Sequence, residues 1–182
     1  MRINIRWFIL YKTINSLFGG LSLGAIIGIY SSLRPQIFSA GGFLLAIGSI
    51  IVALFYSRIM NIKAFFIVTL IAESVILFAA FLVVFDPSSW QIACAIYICY
   101  QITFLFGGYL IRAETLFLNN VAVLSRVDAF KQIGYIIGLA ASYIFYELTD
   151  LSKIGEIWLL HIYLVSLQTL TIVCVLRAFI PR

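Results

Sequence analysis

The chain has 182 residues, of which 64% are hydrophobic and 10% are charged, and its mean hydropathy is +1.13. This composition excludes an ordinary water-soluble globular domain and indicates a protein embedded in a lipid bilayer. The formal net charge of +5 does not indicate nucleic-acid binding, because the basic residues lie at the ends of apolar runs and form no continuous patch.

Six apolar runs follow one another along the chain, each about long enough to cross a bilayer at a rise of about 1.5 Å per residue. Backbone polar groups inside a bilayer must be satisfied within helices, so the sequence predicts an all-α membrane protein. The predicted spans are residues 7–30, 36–56, 64–85, 91–118, 129–148 and 157–176 of a single domain, 1–182. Pro35, Pro87 and Pro181 fall between or after these spans, where helices are expected to begin or end. The first run lacks a short apolar stretch with a cleavage site, so we predict a span instead of a signal peptide.

The basic residues are divided unequally between the two sides of the predicted helices. If the N-terminus is cytoplasmic, nine of them lie on that side: Arg2, Arg6, Lys12, Arg58, Lys63, Arg126, Lys131, Arg177 and Arg182. The other side has Arg34 and Lys153, and Arg112 lies within the fourth span. The positive-inside rule therefore predicts that both termini face the cytoplasm. Short loops and the absence of a targeting segment are typical of the bacterial inner membrane.

The segment between the fourth and fifth spans, residues 119–131, mixes apolar and charged residues. Two interpretations fit it. It could form a short helix lying along the inner membrane surface, or a helix extension followed by a loop.

The two halves of the chain share features of an internal repeat. The sequence Leu-Phe-Gly-Gly at residues 17–20 recurs at residues 105–108. The second and fifth predicted spans are both rich in glycine (Gly41, Gly42 and Gly48 against Gly134 and Gly138). Because the first and fourth spans would cross in opposite directions, a repeat of three plus three spans would be inverted in the membrane, as in many transporters.

Several residues carry a resemblance to one known family. Six spans, cytoplasmic termini and short external loops resemble the amino-terminal bundle of a major facilitator superfamily transporter. Arg58, with a basic residue near it, resembles the family's loop between spans two and three, although Ser57 and Met60 stand where that loop has an acid and a glycine. Arg112 resembles the arginine that many members have in span four. The glycines of span five fall where the family has a glycine-rich packing motif, but its Gly-Pro pair is missing.

The resemblance implies a function and a partner. One such bundle is half of a transporter, so it implies a homodimer, or a heteromer with another membrane protein, that moves a small solute by alternating access. Coupling to protons is one form this transport could take. The alternative is a structural or assembly subunit that no longer transports and binds another membrane protein through its glycine-rich faces.

Polar side chains inside a bilayer are costly and therefore mark candidate sites. The candidates for a substrate or ion pathway are Arg112, Glu73, Asn15, Gln101 and Glu114. Glu73 is predicted near mid-depth, either as a proton or cation site or as a structural carboxyl bonded to a neighbouring helix. The planar guanidinium of Arg112 suits an anionic group, or alternatively an ion pair with Glu73 or Glu114. Gln168 and Thr103 are predicted to form hydrogen bonds between helices, and the same role is the alternative for Gln101.

Gly20, Gly24 and Gly28 recur every four residues in the first span and form one smooth stripe. Together with Gly134 and Gly138, they are predicted to let helices approach closely. We expect these glycines to serve packing.

No motif for catalysis or cofactor binding is present in the sequence. The three cysteines (Cys94, Cys99 and Cys174) lack metal-ligand spacing and are predicted to be free thiols inside spans. There is no nucleotide-binding loop, no His/Glu zinc cluster and no Ser-His-acid arrangement. We therefore expect no enzymatic activity, catalytic residue, metal or cofactor.

Overall fold

The computed structural model describes residues 1–181. Arg182, counted above among the cytoplasmic basic residues, lies outside this described part. The helices are α1 (Ile5–Tyr30), α2 (Pro35–Leu54), α3 (Tyr56–Ile59), α4 (Ile62–Phe85), α5 (Trp90–Leu105), α6 (Gly107–Leu118), α7 (Val121–Leu148) and α8 (Lys153–Ala178). Two short strands, β1 (Arg2–Ile3) and β2 (Phe179–Ile180), pair antiparallel and bring the two ends of the chain together.

Polar caps explain where most of the long helices begin. The side chain of Asn4 accepts hydrogen bonds from the N–H groups of the first turn of α1, and Asn61, Asn120 and Ser152 do the same for α4, α7 and α8. The second helix begins instead at Pro35, whose fixed φ suits the first helical position. These signals interrupt the apolar sequence and set the helix boundaries.

Two predicted spans have features that hydropathy did not indicate. The fourth, 91–118, corresponds to one membrane-length segment, Trp90–Leu118, whose helix is interrupted at Phe106 between α5 and α6. There the Phe106 N–H bonds to the carbonyl of Thr103, three residues back, and the two glycines that follow have weak helix propensity. Helix α7 contains the fifth predicted span, 129–148, but begins at Val121, so residues 121–131 form a helix extension, which is one of the two interpretations given above. The connection before it turns at Asn119, which has a left-handed φ of 38°.

Five helical segments are long and apolar enough to cross a membrane: α1, α2, α4, α5 together with α6, and α8. This confirms the prediction of an all-α membrane protein. Helix α7 has 28 residues but is less apolar, because Arg126, Asp128 and Lys131 lie in its first half. A sixth crossing therefore stays a prediction.

The helices pack as an inner group of four with one further helix on each side. Helix α8 lies between α1 and α4, α4 packs against α5, and α5 also touches α1. Helix α7 packs along α1, whereas α2 packs mainly against α5 and contributes no buried residue.

The interior contains two apolar clusters separated by a polar layer. One cluster, which includes Phe18, Ile76 and Leu164, continues towards the connection between α4 and α5. The other, which includes Phe8 and Phe65, lies towards the paired chain ends. The residues between these positions on α1, α4 and α8 carry the polar side chains described next.

Candidate functional site

Glu73 forms the centre of the polar layer. It lies halfway along α4 and is only 5% exposed. The Tyr11 hydroxyl donates to Oε1 at 2.7 Å, and Nδ2 of Asn15 donates to Oε1 and Oε2 at 3.0 and 2.9 Å. From α8, Nε2 of Gln168 donates to Oε2 at 2.7 Å and to the backbone carbonyl of Glu73 at 3.0 Å. The carboxylate thus joins three helices.

The local sequence explains why these groups meet. Tyr11 and Asn15 are four residues apart and therefore lie on the same face of α1. Every side chain that contacts the carboxylate does so through an N–H or O–H donor, which is the arrangement that satisfies an ionised carboxylate. The contact of Gln168 confirms its predicted role as an interhelical hydrogen-bond donor. Thr103 differs, because its hydroxyl donates to Cys99 within its own helix.

A second charged pair lies beside this cluster. Lys12 Nζ and Glu114 Oε2 are 2.5 Å apart, and their side chains are 14% and 8% exposed. The Lys12 ammonium also lies 5.4 Å and 5.3 Å from the ring centres of Phe8 and Tyr11. Lys12 was expected at the inner surface and Glu114 in a solute pathway. The structure pairs these two residues and so links α1 to α6, because each buried charge needs a partner.

Breaking this pair from one side is expected to cost about 3–5 kcal/mol of the free energy of unfolding, because the remaining charge is left buried. We therefore predict that Lys12→Met and Glu114→Gln each destabilise the protein strongly. The double variant is expected to recover most of that loss. Denaturant unfolding of the four proteins in micelles measures this as a double-mutant cycle. Additive losses in the double variant would show that the two side chains do not interact.

Two other candidates lie away from Glu73. Arg112 is exposed on α6, with its guanidinium carbon 5.8 Å from the ring centre of Tyr56. Among residues 1–181, it forms an ion pair with neither Glu73 nor Glu114. Gln101 lines a groove of about 220 Å³ between α2 and α5. The pathway candidates predicted from the sequence therefore do not form one site. Among them, only Asn15 forms a hydrogen bond with Glu73.

Three of the predicted packing glycines lie where α1 and α7 cross. A side chain added to Gly20 would meet the backbone of α7 at Tyr135, and one added to Gly138 would meet the backbone of α1 at Leu17. A side chain on Gly134 would also meet the α1 backbone. The two helices therefore touch backbone to backbone at this crossing.

The other two glycines of the stripe face side chains. Gly24 faces the ring of Tyr146 on α7, and Gly28 faces Ile157 and Lys153 on α8. Gly20 therefore lies at the crossing of α1 and α7, whereas Gly24 and Gly28 leave room for larger side chains of α7 and α8.

Tyr11 and Lys12 also belong to the buried polar network, although neither was among the candidates identified from the sequence. The spacing of Tyr11 and Asn15 is a signal for Tyr11, because two polar groups on one face of a transmembrane helix indicate a shared partner. For Lys12 no such signal exists, since its partner lies 102 positions further along the chain.

The helical fold and its five membrane-length helices define the class, an all-α membrane protein. Comparison of the chain with protein-family models, with curated proteins and with solved structures finds no significant match. Within the described residues, no group of three or more His, Cys, Asp and Glu side chains is arranged to hold a metal ion. The function is therefore inferred from the geometry of the helices and of the polar layer.

Proposed function

We propose that this chain is a six-helix half of a secondary transporter of a small solute, with α7 as its sixth crossing. The observation that supports this is the pattern of helix packing. The packing has an internal symmetry. If α1 is exchanged with α5–α6, α2 with α7, and α4 with α8, each of the main packed helix pairs becomes a pair that is also packed in the structure. The α1–α7 pair becomes α5 with α2, the α1–α8 pair becomes α5 with α4, and α4–α8 maps onto itself. Such an exchange is expected of two inverted three-helix repeats, a common construction in transporters.

The glycines of the exchanged helices support the same proposal. Gly134 and Gly138 of α7 face α1, and the corresponding helix α2 presents Gly41 and Gly48 to Tyr97 and Leu105 of α5. In both outer helices, α2 and α7, glycines therefore lie at the contact with the inner helix that each packs against. The resemblance to the amino-terminal bundle of a major facilitator superfamily transporter is part of this proposal.

The proposed orientation places both termini in the cytoplasm of a bacterial inner membrane. An even number of crossings agrees with the pairing of β1 and β2, which brings the chain ends to one side. The basic residues near Arg58 and Arg126 then also lie on that side, as the positive-inside rule requires.

A solute path in this proposal lies between two bundles. Helices α2 and α7 are the outermost helices and leave broad faces open to a second copy. Two copies related by an axis normal to the membrane would enter the bilayer in the same direction, and rocking of one against the other would give alternating access. The exposed guanidinium of Arg112 is proposed to contact an anionic solute.

Transport is tested by solid-supported-membrane electrophysiology on proteoliposomes, with a panel of small organic anions, cations and neutral sugars. We expect a solute-dependent current for at least one anion and a loss of about tenfold or more in Arg112→Gln. Arg177→Gln is the matched control, because this exposed arginine lies in the last turn of α8, away from the outer helices α2 and α7. Equal currents from protein-free liposomes and from all proteins would contradict the proposal.

A second candidate is a structural or assembly subunit for another membrane protein. The hydrogen bonding of the Glu73 carboxylate favours it, because a carboxylate that accepts from three side chains on two neighbouring helices already has a structural role. Five surface cavities of about 180–610 Å³ lie around the bundle, and Glu73 lines none of these five. A protein that is monomeric in nanodiscs, carries no solute current and co-purifies with one defined membrane protein would favour this candidate.

A further inference from the structure

Two buried oxygen atoms on the helices that meet at Glu73, α4 and α8, have no hydrogen-bond partner within residues 1–181. They are Oε1 of Gln168, a residue that is 0% exposed, and Oγ1 of Thr69, which is 1% exposed. The bond from Nε2 of Gln168 to Glu73 holds the Gln168 amide, and so its oxygen, beside the carboxylate. Thr69 precedes Glu73 by one helical turn on the same buried face of α4. Unpaired buried oxygens are costly and point to a ligand.

The charges around Glu73 indicate what kind of ligand this is. Four contacts from N–H and O–H donors satisfy the carboxylate in its ionised form. Lys12 is paired with Glu114, so that pair carries no net charge. In the described part of the chain, Glu73 itself forms no ion pair. A single negative charge inside a bilayer without a counter-ion is costly, and a bound cation offsets this cost.

We propose that Glu73, Gln168 and Thr69 form a binding site for a small monovalent cation, and that this cation is Na⁺. The available ligands are a carboxylate, an amide oxygen and a hydroxyl, and hard cations prefer such oxygens. One positive charge neutralises the site, whereas a divalent ion would leave an excess. This proposal does not depend on transport, because either candidate function is compatible with a bound structural ion.

The key variant is Thr69→Val, which removes one proposed ligand and keeps the shape of the side chain. Within the described part of the chain its hydroxyl has no hydrogen-bond partner, so we expect the variant to fold. Thermal unfolding of the purified protein is followed while NaCl replaces choline chloride at constant ionic strength. The midpoint of the wild-type protein is expected to rise with Na⁺ concentration. In Thr69→Val, the Na⁺ concentration needed for the same rise is expected to be about tenfold higher.

Two controls make the result specific. Thr69→Ser keeps the hydroxyl and should respond to Na⁺ like the wild type. Thr103→Val makes the same chemical change on α5, away from Glu73, and should also respond like the wild type. A wild-type midpoint that is equal in NaCl and choline chloride overturns the proposal, and so does an unchanged Na⁺ response in Thr69→Val.

A proton on Glu73 is the competing explanation. The titratable groups that face Glu73 are Tyr11 and Lys12 from α1, with Glu114 of α6 behind Lys12. Repeating the Na⁺ titration at about pH 5, 7 and 9 distinguishes binding of Na⁺ from binding of a proton. If Na⁺ is the ligand, the response persists at neutral and alkaline pH. A midpoint that changes with pH but never with Na⁺ assigns the site to a proton and overturns the proposal.

Discussion

Replacing Gly20 by alanine is expected to lower the free energy of unfolding by about 1–3 kcal/mol, or to prevent folding, whereas the same change at the adjacent Gly19 should not destabilise the protein. The two positions differ in what an added methyl group would meet. At Gly20 it would meet the backbone of α7 near Tyr135, Gly138 and Leu139, and at Gly19 it would meet nothing within 4 Å. The helices would therefore have to separate only in Gly20→Ala.

The measurement is denaturant unfolding of both variants in the same micelles, followed by circular dichroism. Gly19→Ala is expected to gain up to about 1 kcal/mol, because alanine is the better helix former. Gly138→Ala, on the other side of the crossing, should behave like Gly20→Ala, because its methyl group would meet the α1 backbone. Equal stability of Gly19→Ala and Gly20→Ala would contradict the close approach of α1 and α7.

Replacing Glu73 by leucine is expected to cost about 3 kcal/mol or more of the free energy of unfolding. The substitution removes the one acceptor shared by Tyr11, Asn15 and Gln168, and each unsatisfied group costs about 1–3 kcal/mol. Glu73→Gln should cost less, because its amide oxygen still accepts from part of the cluster. Glutamine also removes the charge, so the Na⁺ response should disappear in this variant.

The control for this prediction is Glu147→Leu. Glu147 is exposed near the end of α7 and has no hydrogen-bond partner among the described side chains, so its replacement is expected to change stability by less than about 0.5 kcal/mol. Unfolding measured by steric trapping in bicelles compares the three variants directly. If Glu73→Leu is as stable as Glu147→Leu, then the polar layer does not hold the helices together.

The sequence predicted the helices better than their interruptions. A bilayer demands long apolar helices, so the ends of α1 and α4 at Tyr30 and Phe85 could be read from hydropathy. The interruption at Phe106 could not, because the apolar sequence continues on both sides of it. The sequence left the start of α7 open between a surface helix and a helix extension, because its first turns mix charged and apolar residues. The pairing of β1 with β2 depends on contacts between chain ends, which no local pattern encodes.

The site was predictable only in part, because its geometry depends on the rotation of each helix. The sequence identifies Glu73 and Asn15 as costly polar groups but not that they share a contact. Arg112 and Glu114 are two positions apart on α6, and only the packing decides that Glu114 is buried against Lys12 while Arg112 is exposed. Hydrophobicity indicates which residues are inside the membrane. It does not indicate which of them face one another.

The proposed inverted repeat requires that α7 crosses the membrane as the counterpart of α2, because each of its two units needs three membrane-spanning helices. The most direct test is labelling of single cysteines at Asn120 and Ser152, before and after α7, once Cys94, Cys99 and Cys174 have been replaced by alanine. With a membrane-impermeant maleimide applied to intact cells, we predict labelling at position 152 and none at position 120 until the cells are opened. Labelling of both positions from the same side would contradict the account.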